Sequence, residues 1–491
     1  MFSRKTTLLV ISLLVVLALL AACAPPPTPE VIEKVVEKTV VVEKEVPVEV
    51  TKIVEKKVEV PVGVELVTIK GRCRAKPPME DWRCNNLLMA VPLVNAELEA
   101  KGDNRRVQVK VVQDNVGWGD YVTEFVLATD AGEAPDIWLT GHEYIGAQAE
   151  AGRIIALDDM LGDYPEFANV VDKLWDSVKY KGKIWGVPQD AEARPIYWSK
   201  PLLKELGWSD EEIEALPEKI KKGEFTLYDM LETAKEAVDK GIVEPGMGFW
   251  HRPKNGPDFT AFYYAFGGET IDPETGKLVF DKEAFLKYYQ FFWDASQTYK
   301  VTEVLGVGWG DTWHPSVSGH KVLFFLGGTW QWAEWAELYV KDLGGEAYLF
   351  ENFGFGLIPA AEKGGKPNSL THPLAYLISS QSEHPDLALA LVAKATTDEA
   401  NTRHAVQSTH LGILKTQADY EPYKQARLLS ETLYMLDYTT YLPNNPNWGP
   451  YSTVTYEALA AVEAGELTPE EAVAFAEEGL VRELGDEVII R

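Results

Sequence analysis

From Glu65 onward the chain alternates runs rich in β-branched residues with amphipathic stretches, and this alternation limits the fold more than any other feature. Glu65-Leu66-Val67-Thr68-Ile69 reads as a strand, a helix is predicted near Leu87 to Lys101, and Val107 to Val112 reads as a second strand. Another helix from about Tyr121 to Ala131 leads into a third strand at Asp136 to Leu139. Helices between strands let the strands run parallel, so this order predicts an α/β fold with a parallel sheet. A second alternating region starts at Tyr197-Trp198, with helices expected at Leu202 to Leu206, Leu227 to Val238 and Lys282 to Thr298. The final third reads as mostly helical and closes in Pro469 to Leu480, with Thr468 as N-cap. A chain of 491 residues, 46% of them apolar, exceeds what one core organises, so two folded lobes are expected.

The N-terminus has a different purpose. An apolar run from Leu8 to Leu20 follows Arg4 and Lys5 and closes in Leu20-Ala21-Ala22-Cys23. That is the pattern of an export signal, residues 1–22, and the run falls short of the roughly 20 apolar residues of a spanning helix. Its ending resembles the lipobox of bacterial lipoproteins, which implies that Cys23 is acylated and begins the mature chain; an ordinary secretory signal is the alternative. The protein is then extracytoplasmic and held to the cell membrane by lipid alone. Residues 23–64 carry Pro25-Pro26-Pro27 and the triplets Ile32-Glu33-Lys34, Val36-Glu37-Lys38, Val42-Glu43-Lys44 and Val54-Glu55-Lys56 at uneven spacing, without an aromatic residue. Such a segment is a low-complexity tether, and it lacks the sustained heptads of a coiled stalk.

The formal charge of -28 excludes nucleic acid as a natural partner. Beyond Cys23, only Cys73 and Cys84 remain, an even pair in an exported chain. A disulfide is expected. A zinc site is the alternative, but the intervening residues offer no histidine.

Four strings carry a family resemblance. Pro135 to Gly146 (PDIWLTGHEYIG) and Tyr180 to Gly207 (YKGKIWGVPQDAEARPIYWSKPLLKELG) resemble the ligand loop and lobe crossover of extracellular solute-binding proteins. Gly319 to Trp332 (GHKVLFFLGGTWQW) is similar to the stretch that presents a tryptophan to the cleft, and Leu442 to Leu480 resembles the closing helices of the maltose-binding family. The resemblance implies a two-lobed periplasmic-binding-protein-like α/β fold with three interlobe crossovers. By analogy, residues 65–189 and 357–405 form the first lobe, and 190–356 and 406–491 the second. It also implies capture of one small solute in the cleft and its delivery to the permease subunits of an ABC transporter. At Arg72 to Asn86 the cysteine-containing loop is longer than the family's, so contacts made there are not carried over.

Sugars are recognised by aromatic plates and planar hydrogen-bonding groups. Trp330 and Trp332 follow Gly327-Gly328, where close backbone approach is easy, at the family's ring-stacking position. Core packing is the alternative for both. Trp448 and Tyr451 lie in Asn444 to Tyr451, a stretch too rich in Pro, Gly and Asn to read as helix, and either line the cleft or lid the next helix. Asp190, Glu192 and Arg194 alternate at period two, so an extended crossover points all three to one face, toward a ligand or as one ion-pair cluster. Glu192 matches a cleft carboxylate of the family. His142 and Glu143 follow a strand's carboxyl end, where open α/β sheets bind ligands, and match the family's loop, although Thr140 stands where a tryptophan is found. Phe259 lies in a short segment similar to the second lobe's sugar-facing turn. His372 is assigned no role.

A carbohydrate-active enzyme needs two carboxylates flanking a bond, about 5 to 9 Å apart, which Asp190 and Glu192 on one face cannot supply. No nucleophile elbow, zinc-protease motif or phosphate loop is present. The reading is therefore a non-enzymatic binding protein for a carbohydrate, with no cofactor and no metal. A receptor for a cationic solute such as a polyamine is the alternative, since aromatics beside carboxylates box a cation. A role in sensing is not distinguished from transport.

Overall fold

The computed structural model describes residues 64–491, so the export signal, Cys23 and the tether fall outside the described residues. The first predicted strand is β1 (Glu65–Arg74), longer than its apolar part because every residue from Glu65 to Arg74 pairs in parallel with β2 (Arg105–Asp114). Between them runs α1 (Trp82–Ala100), then α2 (Trp118–Asp130) leads to β3 (Ile137–Gly141), whose five residues are all buried. Such a strand is central: it is covered on both faces and reads as an apolar run rather than an alternation.

The first sheet is completed by β4 (Val187–Pro188) and β9 (Leu374–Ile378), in the order β2-β1-β3-β9-β4. Strands β1 to β3 are parallel, as expected, but β9 runs antiparallel to both β3 and β4, making the sheet mixed. The second sheet has β5 (Ile196–Ser199), β6 (Phe249–Trp250), β7 (Phe324–Leu326) and β8 (Phe353–Gly356) in the order β8-β5-β7-β6. It too is mixed, because β5 is antiparallel to its neighbours β7 and β8 while β6 and β7 are parallel.

The chain leaves the first sheet after β4, returns to it between β8 and β9, and leaves again after α5 (Pro385–Ala395) and α6 (Asp398–Ser408). These passages are joined to one another: Ala191 bridges Leu411, Glu192 N donates to Thr371 Oγ1 at 3.1 Å, and Arg194 N donates to Ser369 Oγ at 2.8 Å. An unbroken helix spans the 405/406 position at which the last lobe boundary was expected, and the backbone reverses at Thr409, with φ 53°.

Among the described residues each sheet has a main core and a smaller cluster, the smaller ones around Trp138 and Leu377 and around Tyr197 and Phe325. Val67, Ile69, Leu139, Tyr376 and Leu391 belong to the main core of the first sheet; Trp198, Phe249, Phe291, Phe324 and Leu459 belong to that of the second. The second core is closed by α3 (Asp258–Ala265), α4 (Lys282–Trp293), α7 (Trp448–Glu463) and α8 (Pro469–Leu484). The expected helix through Thr298 is α up to Trp293 and then a π-helical turn, Asp294–Thr298. The non-helical reading of Trp448 is corrected. Trp448-Gly449-Pro450 is the first turn of α7, where the missing proline N–H breaks no helical hydrogen bond.

Candidate functional site

The carboxyl ends of strands in both sheets converge on one cavity of about 790 Å³. Arg74 ends β1 and Lys76 follows it, Trp118 follows β2, and Glu143 follows β3; Arg252 and Lys254 follow β6, and Trp330 follows β7. This is where an open α/β sheet leaves strand ends uncovered. The cavity's four tryptophans each sit at the start of a helical segment: Trp118 opens α2, Trp309 opens Trp309–Trp313, Trp330 precedes the short helix Gln331–Glu334, and Trp448 opens α7. A larger groove of about 1370 Å³ adjoins it at Asn445-Pro446, but no tryptophan lines that groove.

Six of the ten residues singled out from the sequence are brought to the cavity or its wall. Glu143, Glu192, Arg194, Trp330 and Trp448 line it, and His142 lies directly behind Glu143. Trp330 is half-buried because its indole folds over Gly328: a Cβ there would come within 1.6 Å of the ring. Arg194 lies over the same ring at 4.9 Å, and His410 lies nearly parallel to it at 6.0 Å. Trp448 stacks on Tyr451 at 5.4 Å.

Four residues stand elsewhere, and their assignment to the cleft is corrected. Trp332 is 1% exposed and packs on Tyr197, Phe350 and Phe355, because residues two apart on a helical turn cannot share the face of Trp330. Tyr451 is buried, donating its hydroxyl to Val279 O at 2.6 Å, and Phe259 packs on His251, Phe292 and Tyr456. Those two line a void of about 30 Å³, room for about one water. Asp190 is wholly buried beneath the floor, accepting from Leu374 N at 3.0 Å and from Arg83 at 3.2 Å.

The period-two crossover thus supports both readings made of it. Glu192 faces the cavity and pairs with Arg194 at 2.6 Å, while Arg194 also meets Asp258 at 2.5 Å. Burial pushes the Glu192 carboxyl up despite Arg194. Burial likewise raises Asp190, but the His404 hydrogen bond and the Arg83 charge more than offset it and keep it ionised. Because burial holds both imidazoles neutral, Arg83 is the counter-charge. Across the cavity, His372 Nε2 meets Glu143 Oε2 at 2.7 Å; burial opposes both charges, and their mutual attraction restores them.

Sequence reasoning missed Arg74, Lys76, Glu80 and Arg83, which run from the last residue of β1 through the connecting loop to the first turn of α1. A disulfide joins Cys73, at the end of β1, to Cys84, in the first turn of α1, with Cα atoms 5.8 Å apart. Trp118 and Trp309 were also missed, although each stands between two glycines, Gly117-Trp118-Gly119 and Gly308-Trp309-Gly310. An indole flanked by residues without side chains is left accessible, a signal of use that composition alone hides.

Two triads, His142-Glu143-His372 and Asp190-His404-His410, place ligand-type atoms within 4.8 Å of one another. In the second, the Arg83 guanidinium stands 3.2 Å from both Asp190 and His410, the position a cation would need neutralised. In the first, Glu143 is already held by His372. Both work as hydrogen-bonded supports of the cavity wall.

Two sheets joined by three passages carry a cavity at their strand ends, lined by tryptophans and planar hydrogen-bonding side chains. Residues 93–402 match the family model of the bacterial extracellular solute-binding proteins, and the chain belongs to that family, whose members are not enzymes. It is 22% identical over 398 residues to the maltodextrin-binding protein MdxE of Bacillus subtilis, covering 79% of this chain and 86% of that protein. It is 26% identical over 170 residues to the maltotriose-binding protein of Pyrococcus abyssi, a match spanning 34% of this chain and 32% of the relative. Among solved structures, the GacH receptor of Streptomyces glaucescens superposes with a TM-score of 0.66 at 18% identity, covering 86% of this chain and 99% of that one. The sugar-binding protein MalE from Xanthomonas citri gives 0.65 at 17% identity, with 85% and 98% covered. The fold is the α/β periplasmic-binding-protein fold.

Proposed function

We propose that this protein captures a sugar or oligosaccharide between two lobes and hands it to the permease of an ABC transporter, while a lipid on Cys23 and the tether of residues 23–64 keep it at the cell surface. The observation that carries the reading is the cavity: four tryptophans at helix starts surround planar hydrogen-bonding side chains, the combination a sugar's flat apolar faces and hydroxyl rim require. The relatives bind maltotriose and maltodextrin by name, which supports a saccharide as the solute. The lobes are residues 65–189 with 357–408 and residues 190–356 with 409–491, and they pivot on the three hydrogen-bonded passages.

A polyamine is disfavoured. The carboxylates it would need, Glu143 and Glu192, are each paired with a protein cation.

Calorimetry against mono- and oligosaccharides and against spermidine tests the proposal. Trp330→Ala should weaken saccharide binding about tenfold or more without lowering the melting temperature, since a stacked ring contributes about 1 to 3 kcal/mol. Tight spermidine binding without saccharide binding would refute it. Loss of membrane retention in Cys23→Ala tests the anchor.

A further inference from the structure

The chain carries a formal charge of -28, yet its cavity is lined by more cations than carboxylates. Arg74, Lys76, Arg83, Arg194, Arg252 and Lys254 stand against Glu80, Glu143, Glu192 and Glu334. Each carboxylate is already engaged: Glu80 with Arg83 at 2.7 Å, Glu143 with His372, Glu192 with Arg194, and Glu334 with Lys76. Among the described residues, Arg74 and Lys254 have no carboxylate in ion-pair contact. Arg252 has only Asp258, which it shares with Arg194, and its buried Nε lacks a partner.

These three cations are also laid against half-buried rings of the cavity wall, as Arg194 is against Trp330. The Arg74 guanidinium is 4.6 Å from the centre of the Trp118 ring, with Nε donating to Val116 O at 2.8 Å, so its terminal nitrogens remain for something else. Arg252 lies 5.2 Å and Lys254 6.0 Å from the centre of the Trp309 ring. Burial lowers Arg74, and Glu80 offsets this only in part; burial, Arg252 and Arg74 together lower Lys254. A lone solvated lysine needs no explanation. Three cations from two sheets, gathered in one cavity beside two tryptophans with Asp258 paired to Arg252 alone of the three, repel one another, and a further anion would relieve that repulsion.

We infer that the solute is an acidic oligosaccharide, whose hexuronate carboxylate seats among Arg74, Arg252 and Lys254 while its sugar rings lie along Trp118 and Trp309. The inference rests on the saccharide reading and narrows it. Guanidinium and carboxylate match in a planar, two-bonded fork that a hydroxyl cannot reproduce, so such a site selects an acid over the neutral sugar of the same shape.

The test is calorimetry on the purified full-length protein with trimers of galacturonate, glucuronate, mannuronate and guluronate, each paired with the neutral trimer of the same linkage. At least one acidic trimer should bind about tenfold or more tightly than its neutral partner. Arg74→Gln and Lys254→Gln should each shrink that ratio severalfold, and Arg74→Lys should shrink it less than Arg74→Gln. The ratio is the readout because a misfolded variant loses both members of a pair. Neutral trimers that bind as tightly as acidic ones, or a ratio untouched by all three variants, overturn the acidic solute and leave saccharide binding standing. Failure of every trimer to bind, acidic and neutral, overturns both.

Discussion

Asp190 shows how much a single buried charge can organise. It accepts from the Leu374 backbone, from Arg83 and from His404, and so ties the first crossover to β9, to the first turn of α1 and to α6. Removing one partner of such a cluster leaves the others charged and dry, so Asp190→Asn should cost about 3 to 5 kcal/mol in urea denaturation. A loss under about 1 kcal/mol would mean Arg83 is satisfied by Glu80 alone. The histidines make a second, pH-dependent claim. Burial lowers His142, His314 and His320 from the ordinary 6.5 to about 4, about 3 and about 4. The folded chain then binds fewer protons than the unfolded one in that window, so their contribution is whole above about pH 6.5 and is lost as the pH falls toward 4. His372, raised by Glu143, acts in the opposite sense and loses its contribution as pH rises through its folded value. With His404 and His410 also lowered by burial, five groups outweigh one: the melting temperature should decline steadily from about pH 7 to pH 4, and a flat profile would contradict the burial argument. Much of this was open to sequence reasoning. The period of two through Asp190, Glu192 and Arg194 showed that they share a face, but only the fold shows that one of the three lies below the cavity floor.

At the scale of elements, the alternation of strands and helices was readable because apolar period and turn residues agree over most of the chain. What failed was local. Trp448 to Pro450 has a loop's composition, but a helix's first turn needs none of the N–H groups that proline and its neighbours fail to supply. Strand β9 was hidden for another reason: LAYLI is too short to tell strand from helix, and its antiparallel partner β3 lies more than 200 residues earlier. Helix α8 was legible at its start, where Thr468 and Glu471 form a reciprocal capping box. Thr468→Ala should cost about 1 kcal/mol, read as a shifted denaturation midpoint with unchanged slope. A changed slope would instead mean that unfolding is no longer one transition.

At the scale of the whole molecule, the proposed closure of the lobes would be a rotation about the three passages. These hold one another through Ala191–Leu411, Glu192–Thr371 and Arg194–Ser369, so they bend as one unit. Small-angle scattering should show the radius of gyration falling when a saccharide identified by calorimetry is added. An unchanged radius with bound ligand would mean the lobes are already closed. The cysteine loop adds a condition on where this can happen. The link between Cys73 and Cys84 closes a sequence separation of 11 and should contribute about 2 to 3 kcal/mol, so Cys73→Ser with Cys84→Ser should lower stability by that amount. The same loop delivers Arg74, Lys76, Glu80 and Arg83 to the cavity. Inside a reducing cytoplasm the two thiols would stay apart and those four side chains would lose their shared anchor. A cavity wall that depends on this link would be complete only in an oxidising compartment, and a copy held back in the cytoplasm would take up little of any solute present there.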